Sequence, residues 1–194
     1  MVQPQLGHHL CKEGACRDDL IRKLDGLAER DARLPRTSTG NNLLGIIKRC
    51  LNVEVGYFGP TFGRQFPTPE ELVPLEAYDE DPQADWYARE DETKDGLIDL
   101  YRRVGAFADR TIEQLSLDAP GQVPWWQPGR QSVILQRIIV LVIYDLARHA
   151  GHADILREQH DGAVGWQREN TNVPDHHDWP AYVAKLTELA NRFG

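Results

Sequence analysis

No apolar run in this chain of 194 residues is long enough to cross a bilayer. The longest, residues 138–143, falls far short of the ~20 residues a spanning helix needs. The first ten residues lack a basic stretch followed by an apolar one, so no secretory signal is read there and a cytoplasmic protein is expected. Basic charge is scarce as well: 22 Lys and Arg stand against 30 Asp and Glu, for a net charge of −8. Clustered cations are what displace counterions from nucleic acid, so no nucleic-acid partner is expected, and attraction to anionic membrane surfaces is excluded on the same ground. Cysteine is limited to Cys11, Cys16 and Cys50, an odd count that argues against a disulfide framework. Cys50 lies among Ile46, Ile47, Leu51 and Val53 and reads as a small core residue. Cys11 and Cys16 sit in a polar stretch and read as incidental thiols, with an exposed redox or metal pair as the alternative. Strand-type alternation and internal repeats are also absent.

What the chain does have is helical period. The first segment covers residues 17–30, with Leu20, Leu24 and Leu27 on one face, and ends at Leu34-Pro35. The second covers 42–58, with cap-forming residues at 38–41 before it and Gly59-Pro60 after it. The third covers 90–115 on a stripe of Leu97, Leu100, Tyr101, Val104, Ala108, Ile112 and Leu115. The fourth covers 132–159 and is apolar on nearly all sides through Ile143, as a helix enclosed by a bundle would be. A shorter fifth helix is predicted over 180–192. Two long connections, 59–89 and 161–178, join these segments, and loops of that length are usually covers or disordered. Phe62, Phe66, Leu72, Leu75 and Trp86 give the first connection apolar anchors, so it is expected to pack over the bundle. The fold class is therefore all-α: a four-helix bundle with a long crossover loop and a short C-terminal helix, one domain over 17–194 after an extension over 1–16.

Chemistry concentrates on the fourth segment. Asp145, His149 and His152 fall at i, i+4 and i+7 on one face. A carboxylate and an imidazole so spaced can grip a metal ion or act as a base with its orienting acid; the same spacing also suits a helix whose last turns emerge into solvent. Arg49 lies along the apolar stripe of the second segment, where a guanidinium either snorkels outward or needs a carboxylate. Glu54 is a second acid for such a pocket, or a surface residue. Trp125 and Trp126 either wall the pocket or pack against the bundle end.

Several stretches together resemble a known family. They are Asn42-Leu43-Leu44-Gly45-Ile46-Ile47-Lys48, Val53-Glu54-Val55-Gly56-Tyr57-Phe58-Gly59, Thr61-Phe62-Gly63-Arg64, Val123-Pro124-Trp125-Trp126, residues 147–158 around Arg148-His149-Ala150-Gly151-His152, and residues 161–165. The chain resembles the DinB-like superfamily, which includes mycothiol- and bacillithiol-dependent transferases and isomerases, and within it an actinobacterial branch. The resemblance implies a four-helix bundle with a divalent metal near its open end, held by a His of the second helix and by His or acidic residues of the fourth. Here Arg49 stands at the second-helix position, Leu141 where the branch has His, and Asp145 where it has Glu, while His149 and His152 match. A guanidinium has no lone pair to offer a cation. The expectation is thus a site without the metal, in which Arg49 replaces it and pairs with Asp145; were a metal held, its ligands would be Asp145, His149 and His152.

Three functions are compatible with this pattern. The first is an enzyme descended from the thiol-dependent transferases: His149 is the base, Asp145 orients it, Arg49 binds or polarises a small acidic or electrophilic substrate, and His152 is a second proton carrier. Trp125, Trp126 and Glu54 would line its substrate site, and a low-molecular-weight thiol is the candidate cofactor. The second is a non-catalytic small-molecule binding or resistance protein. The third is a metal-dependent mycothiol-type S-transferase. The expected partners are a small-molecule ligand and, at most, a second copy of the chain.

Overall fold

The computed structural model describes residues 16–165, 171, 173, 174 and 176–193. Cys11, the side chain of Cys16 and the extension over 1–16 except the backbone of Cys16 lie outside them. The chain divides into two compact units, 1–163 and 164–194.

In the first unit, side-chain caps decide where helices begin. Helix α3 (Leu43–Phe58) starts at Asn42, whose Oδ1 accepts the Gly45 N–H at 2.7 Å. The cap was expected within 38–41; those residues instead make the turn that precedes it, closed by Arg36 N–H donating to the Asn41 carbonyl. Helix α5 (Lys94–Gln114) starts later than expected because Thr93 caps it, accepting from Gly96 N–H at 3.1 Å. The first expected helix is broken in two, α1 (Cys16–Arg22) and α2 (Glu29–Arg33). Between them Gly26 turns the chain at φ 71°, a conformation open to glycine at little steric cost. Leu24 and Leu27 still reach the core through that turn, 1% and 6% exposed.

Helix α6 (Leu135–Asp161) begins three residues late. Residues Ser132–Ile134 form strand β2, paired antiparallel with β1 (Pro120–Gln122) in the register Pro120↔Ile134. A ladder of three residues is too short to leave an alternation signal in the sequence. The bundle packs α3 against α5 and α6, and α1 against α6. Leu44, Ile47, Leu51, Val104, Ala108, Leu135 and Ile138 form the middle of the core. The all-α bundle stands, but α6 is not enclosed by it. Val140, Ile143 and Tyr144 are exposed, and only the face carrying Leu135, Ile138, Val142, Leu146 and Leu156 is buried. Among the described residues no helix is long and apolar enough to cross a membrane.

The connection after α3 carries 3-10 turns at Pro60–Phe62 and Pro69–Glu71 and the short helix α4 (Ala77–Glu80). Phe66 is buried edge-on against Phe107, with ring centroids 5.6 Å apart; Phe62 and Leu72 pack on the core, while Leu75 is exposed. In the second unit, helix α7 (Trp179–Ala190) is capped by Asp178, which accepts from Ala181 N–H at 3.0 Å. Its apolar residues Trp179, Tyr182, Val183, Leu186 and Leu189 are exposed.

Candidate functional site

Arg49 is where the second expected helix placed it, but its partner is Asp85 from the crossover connection. Nη1 donates to Asp85 Oδ2 at 2.7 Å, and Tyr78 Oη donates to the same oxygen at 2.8 Å. The expected pairing with Asp145 is therefore corrected: the loop folds back and brings its own acid to the guanidinium. Three neighbours fix this stretch. Asn42 Nδ2 donates to the Trp86 carbonyl at 3.3 Å, Arg33 donates to the carbonyls of Ala88, Arg89 and Glu92, and the buried Lys48 reaches Glu92 Oε2 at 2.8 Å. Gly45 completes the fit, since a Cβ built on it would overlap the Trp86 carbonyl. Asp85 is fully buried, and its Oδ1 has no hydrogen-bond partner among the described residues, nor has Arg49 Nε. Burial opposes the charge on Arg49, but Asp85 outweighs it and holds the guanidinium protonated; burial first and Asp85 second push the Tyr78 hydroxyl far above its usual range.

Asp145 and His149 do come together. His149 Nε2 lies 3.6 Å from Asp145 Oδ2, longer than a hydrogen bond. His149 is buried, and that burial lowers its pKa below the ordinary value, against the opposing pull of Asp145; His152, Arg49 and Arg148 lower it further. Its imidazole is therefore the neutral, proton-accepting form near pH 7. His152 is exposed, its ring 5.6 Å from that of His149. Trp86 joins the two halves of the site: its ring meets His149 edge-on at 5.3 Å and lies under the Arg49 guanidinium at 5.4 Å.

Beside Arg49 a cavity of about 790 Å³ opens between α3 and the crossover connection. Arg49, Asn52, Tyr57, Leu72, Tyr78 and Trp125 are among its walls; Asp145, His149 and His152 are not. Trp125 lines this cavity, edge-on to Tyr57 at 5.1 Å. Trp126 is not among its walls: it donates Nε1 to Tyr57 Oη at 3.3 Å and carries Arg137 over its ring. Glu54 is also removed from the site. It is absent from the cavity walls and fully buried, with Arg17 gripping its Oε2 at 2.7 Å.

Asp85 escaped the sequence reading. Its one signal was its place next to Trp86, an expected apolar anchor, within a loop crowded with other acids.

A family model for mycothiol-S-transferase matches residues 14–162. The chain belongs to that family. No curated protein sequence matches it. Membership brings a mycothiol-dependent, transferase-like function, and with the DinB-like resemblance it brings the expectation of a divalent metal. The residues present do not fit one. The second-helix position carries a guanidinium already engaged by Asp85, Leu141 offers no donor, and among the described residues no three His, Cys, Asp or Glu side chains converge to hold an ion.

Proposed function

We propose that this family member joins a low-molecular-weight thiol to a small electrophile at a site where Arg49 takes the place of the metal cation. The observation that carries the reading is the Arg49–Asp85 pair beside the cavity. It holds a guanidinium, paired with a buried carboxylate, beside the cavity, and the resemblance to the DinB-like superfamily implies a metal ligand at that helix position. Arg49 is about one-third exposed, so its remaining N–H groups can meet a thiolate, a carboxylate or the oxygen of a polarised carbonyl. The apolar walls, with Trp125 and Leu72, take the body of the electrophile. His149, neutral because it is buried, accepts the thiol proton, and Asp145 orients it. The thiolate sulfur then bonds to the electrophilic carbon; the displaced electron pair moves to the carbonyl oxygen or leaving group beside Arg49, and the proton on His149 returns to it. His152 passes protons between His149 and solvent.

A second reading has one observation in its favour: His149 stands outside the cavity walls, with Trp86 in contact with both halves. On that reading the cavity binds and sequesters a small molecule without turning it over. The two separate in one experiment on untagged protein. Elemental analysis, then thiol-transfer assays with mycothiol and a panel of electrophiles, are run with and without chelator. Turnover that survives chelation and falls at least ~100-fold in Arg49→Ala and His149→Gln supports the metal-free enzyme. Binding without turnover supports the sequestering protein. Near-stoichiometric metal with activity lost on chelation overturns both and restores the metal-dependent transferase. Arg49→His should raise affinity for a divalent ion if the pocket keeps the family geometry.

A further inference from the structure

Along α6 the residues Val140, Tyr144, Ala147, Gly151, Ile155 and Glu158 come at spacings of three and four, so they form one stripe. Every one is exposed, with Val140 at 63%, Tyr144 at 63% and Ile155 at 55%. A stripe on a seam of this spacing is what a packed helix pair requires. Gly151 adds an independent observation. A glycine inside a helix is destabilising relative to alanine, and a Cβ built on Gly151 meets nothing within 4 Å. Nothing within the first unit fills the space of the missing side chain, and a glycine there lets a second helix approach closely.

We infer that this stripe is the seam of a homodimer, in which α6 packs antiparallel against α6 of a second copy about a two-fold axis between Ala147 and Arg148. The axis decides the pairs. Val140 faces Ile155 of the second copy, Tyr144 lies over Gly151 of the second copy, and Arg137 reaches Glu158 of the second copy; each pair occurs twice, as a two-fold interface demands. The bulkiest stripe residue therefore meets the smallest, and the one basic end of the stripe meets the one acidic end. Arg137 is steadied at that end by stacking over Trp126 at 5.2 Å. Arg148 leans onto Tyr144 of its own helix, with 3.5 Å between Nη1 and Oη.

Competing arrangements fare worse. A parallel pair sets Arg137 against Arg137 and Glu158 against Glu158. Sliding the antiparallel pair by about one turn puts Ile155 opposite Gln136, and Arg137 opposite Asp154, which Lys23 already neutralises at 2.5 Å. The seam from Arg137 to Glu158 is about 32 Å long. A contact of one helix from each copy lies at the small end of stable interfaces, so the dimer should be concentration-dependent and not obligate.

The test is sedimentation velocity on the full chain over a concentration series reaching about 100 µM. A reversible shift from monomer to dimer is expected. Gly151→Leu improves helix propensity and has room in the chain's own fold, so it should stay folded by circular dichroism yet remain monomeric throughout. Arg137→Glu and Glu158→Arg should each weaken the dimer by about 10-fold, and the two together should restore it. A full-length protein that stays monomeric at every concentration, as it would if a different protein used the stripe, overturns the inference. So does a dimer that Gly151→Leu leaves intact, or a charge reversal that the double variant fails to repair.

Discussion

Arg49 and Asp85, 36 residues apart, meet at 2.7 Å with Asp85 fully buried and Tyr78 bonded to the same carboxylate oxygen. Removing the acid leaves a partly buried guanidinium and a phenol without their acceptor. Asp85→Ala is expected to cost about 2–3 kcal/mol in urea unfolding; one-third exposure of Arg49 keeps this below the loss for a fully buried pair. Tyr78→Phe should cost only about 1 kcal/mol. Equal losses in the two variants would show that the ion pair adds nothing beyond the hydroxyl.

His149 gives stability a pH dependence of known sign. Burial lowers its folded pKa below the unfolded value of about 6.5, so the unfolded chain binds the proton more readily. The folded state loses nothing to this residue above pH ~6.5 and is progressively weakened as pH falls from there through the folded pKa. His149→Gln should flatten that part of a urea-midpoint against pH curve. An unchanged slope would assign the dependence to other groups.

Glu54 and Arg17 test how a buried charge is held. Arg17 donates through Nε to Glu54 Oε2 at 2.7 Å, with Nη2 also 2.7 Å from that oxygen, and through Nη1 to Asp109 at 2.8 Å. Tyr101, buried beside Glu54, has its hydroxyl pKa pushed up first by burial and then by that carboxylate. Arg17→Met should cost roughly 3–5 kcal/mol because it strands Glu54, and adding Glu54→Leu should recover most of the loss. Thermal or urea unfolding of the single and double variants measures both. Additive losses would mean the pair is not coupled.

Gly45 sets the approach of the crossover loop to α3. A Cβ there overlaps the Trp86 carbonyl, and backbone cannot swing aside as a long side chain can. Gly45→Ala should therefore destabilise by about 1–3 kcal/mol, even though alanine favours the helix. It should also speed proteolysis within 59–89, because Asp85 and Trp86 lose their seat. A variant as stable as the parent would mean that the loop moves freely away from α3.

The bundle itself was legible. The stripe of Leu97, Leu100, Tyr101, Val104 and Ala108 marks α5, and all five are buried as the period requires. The Asp145–His149 contact was legible too, because residues four apart on a helix are neighbours whatever the rest of the chain does. Local turn chemistry was harder to read. Gly26 breaks the first helix without breaking its apolar spacing, and Asn42 rather than its polar neighbours makes the cap.

Sequence by itself determined the features that repeats a few residues long can encode: the helices α3, α5 and α6 and the faces that α3 and α5 bury. Only the tertiary structure decided which acid meets Arg49. With 30 carboxylates in the chain, local spacing cannot choose among partners. The choice fell to Asp85 because Asn42, Arg33 and Lys48 clamp residues 86–92 against the bundle. It likewise turned Glu54 inward to Arg17, and left one apolar face of α6 open to solvent, because burial depends on which elements arrive to cover a face and not on the face alone.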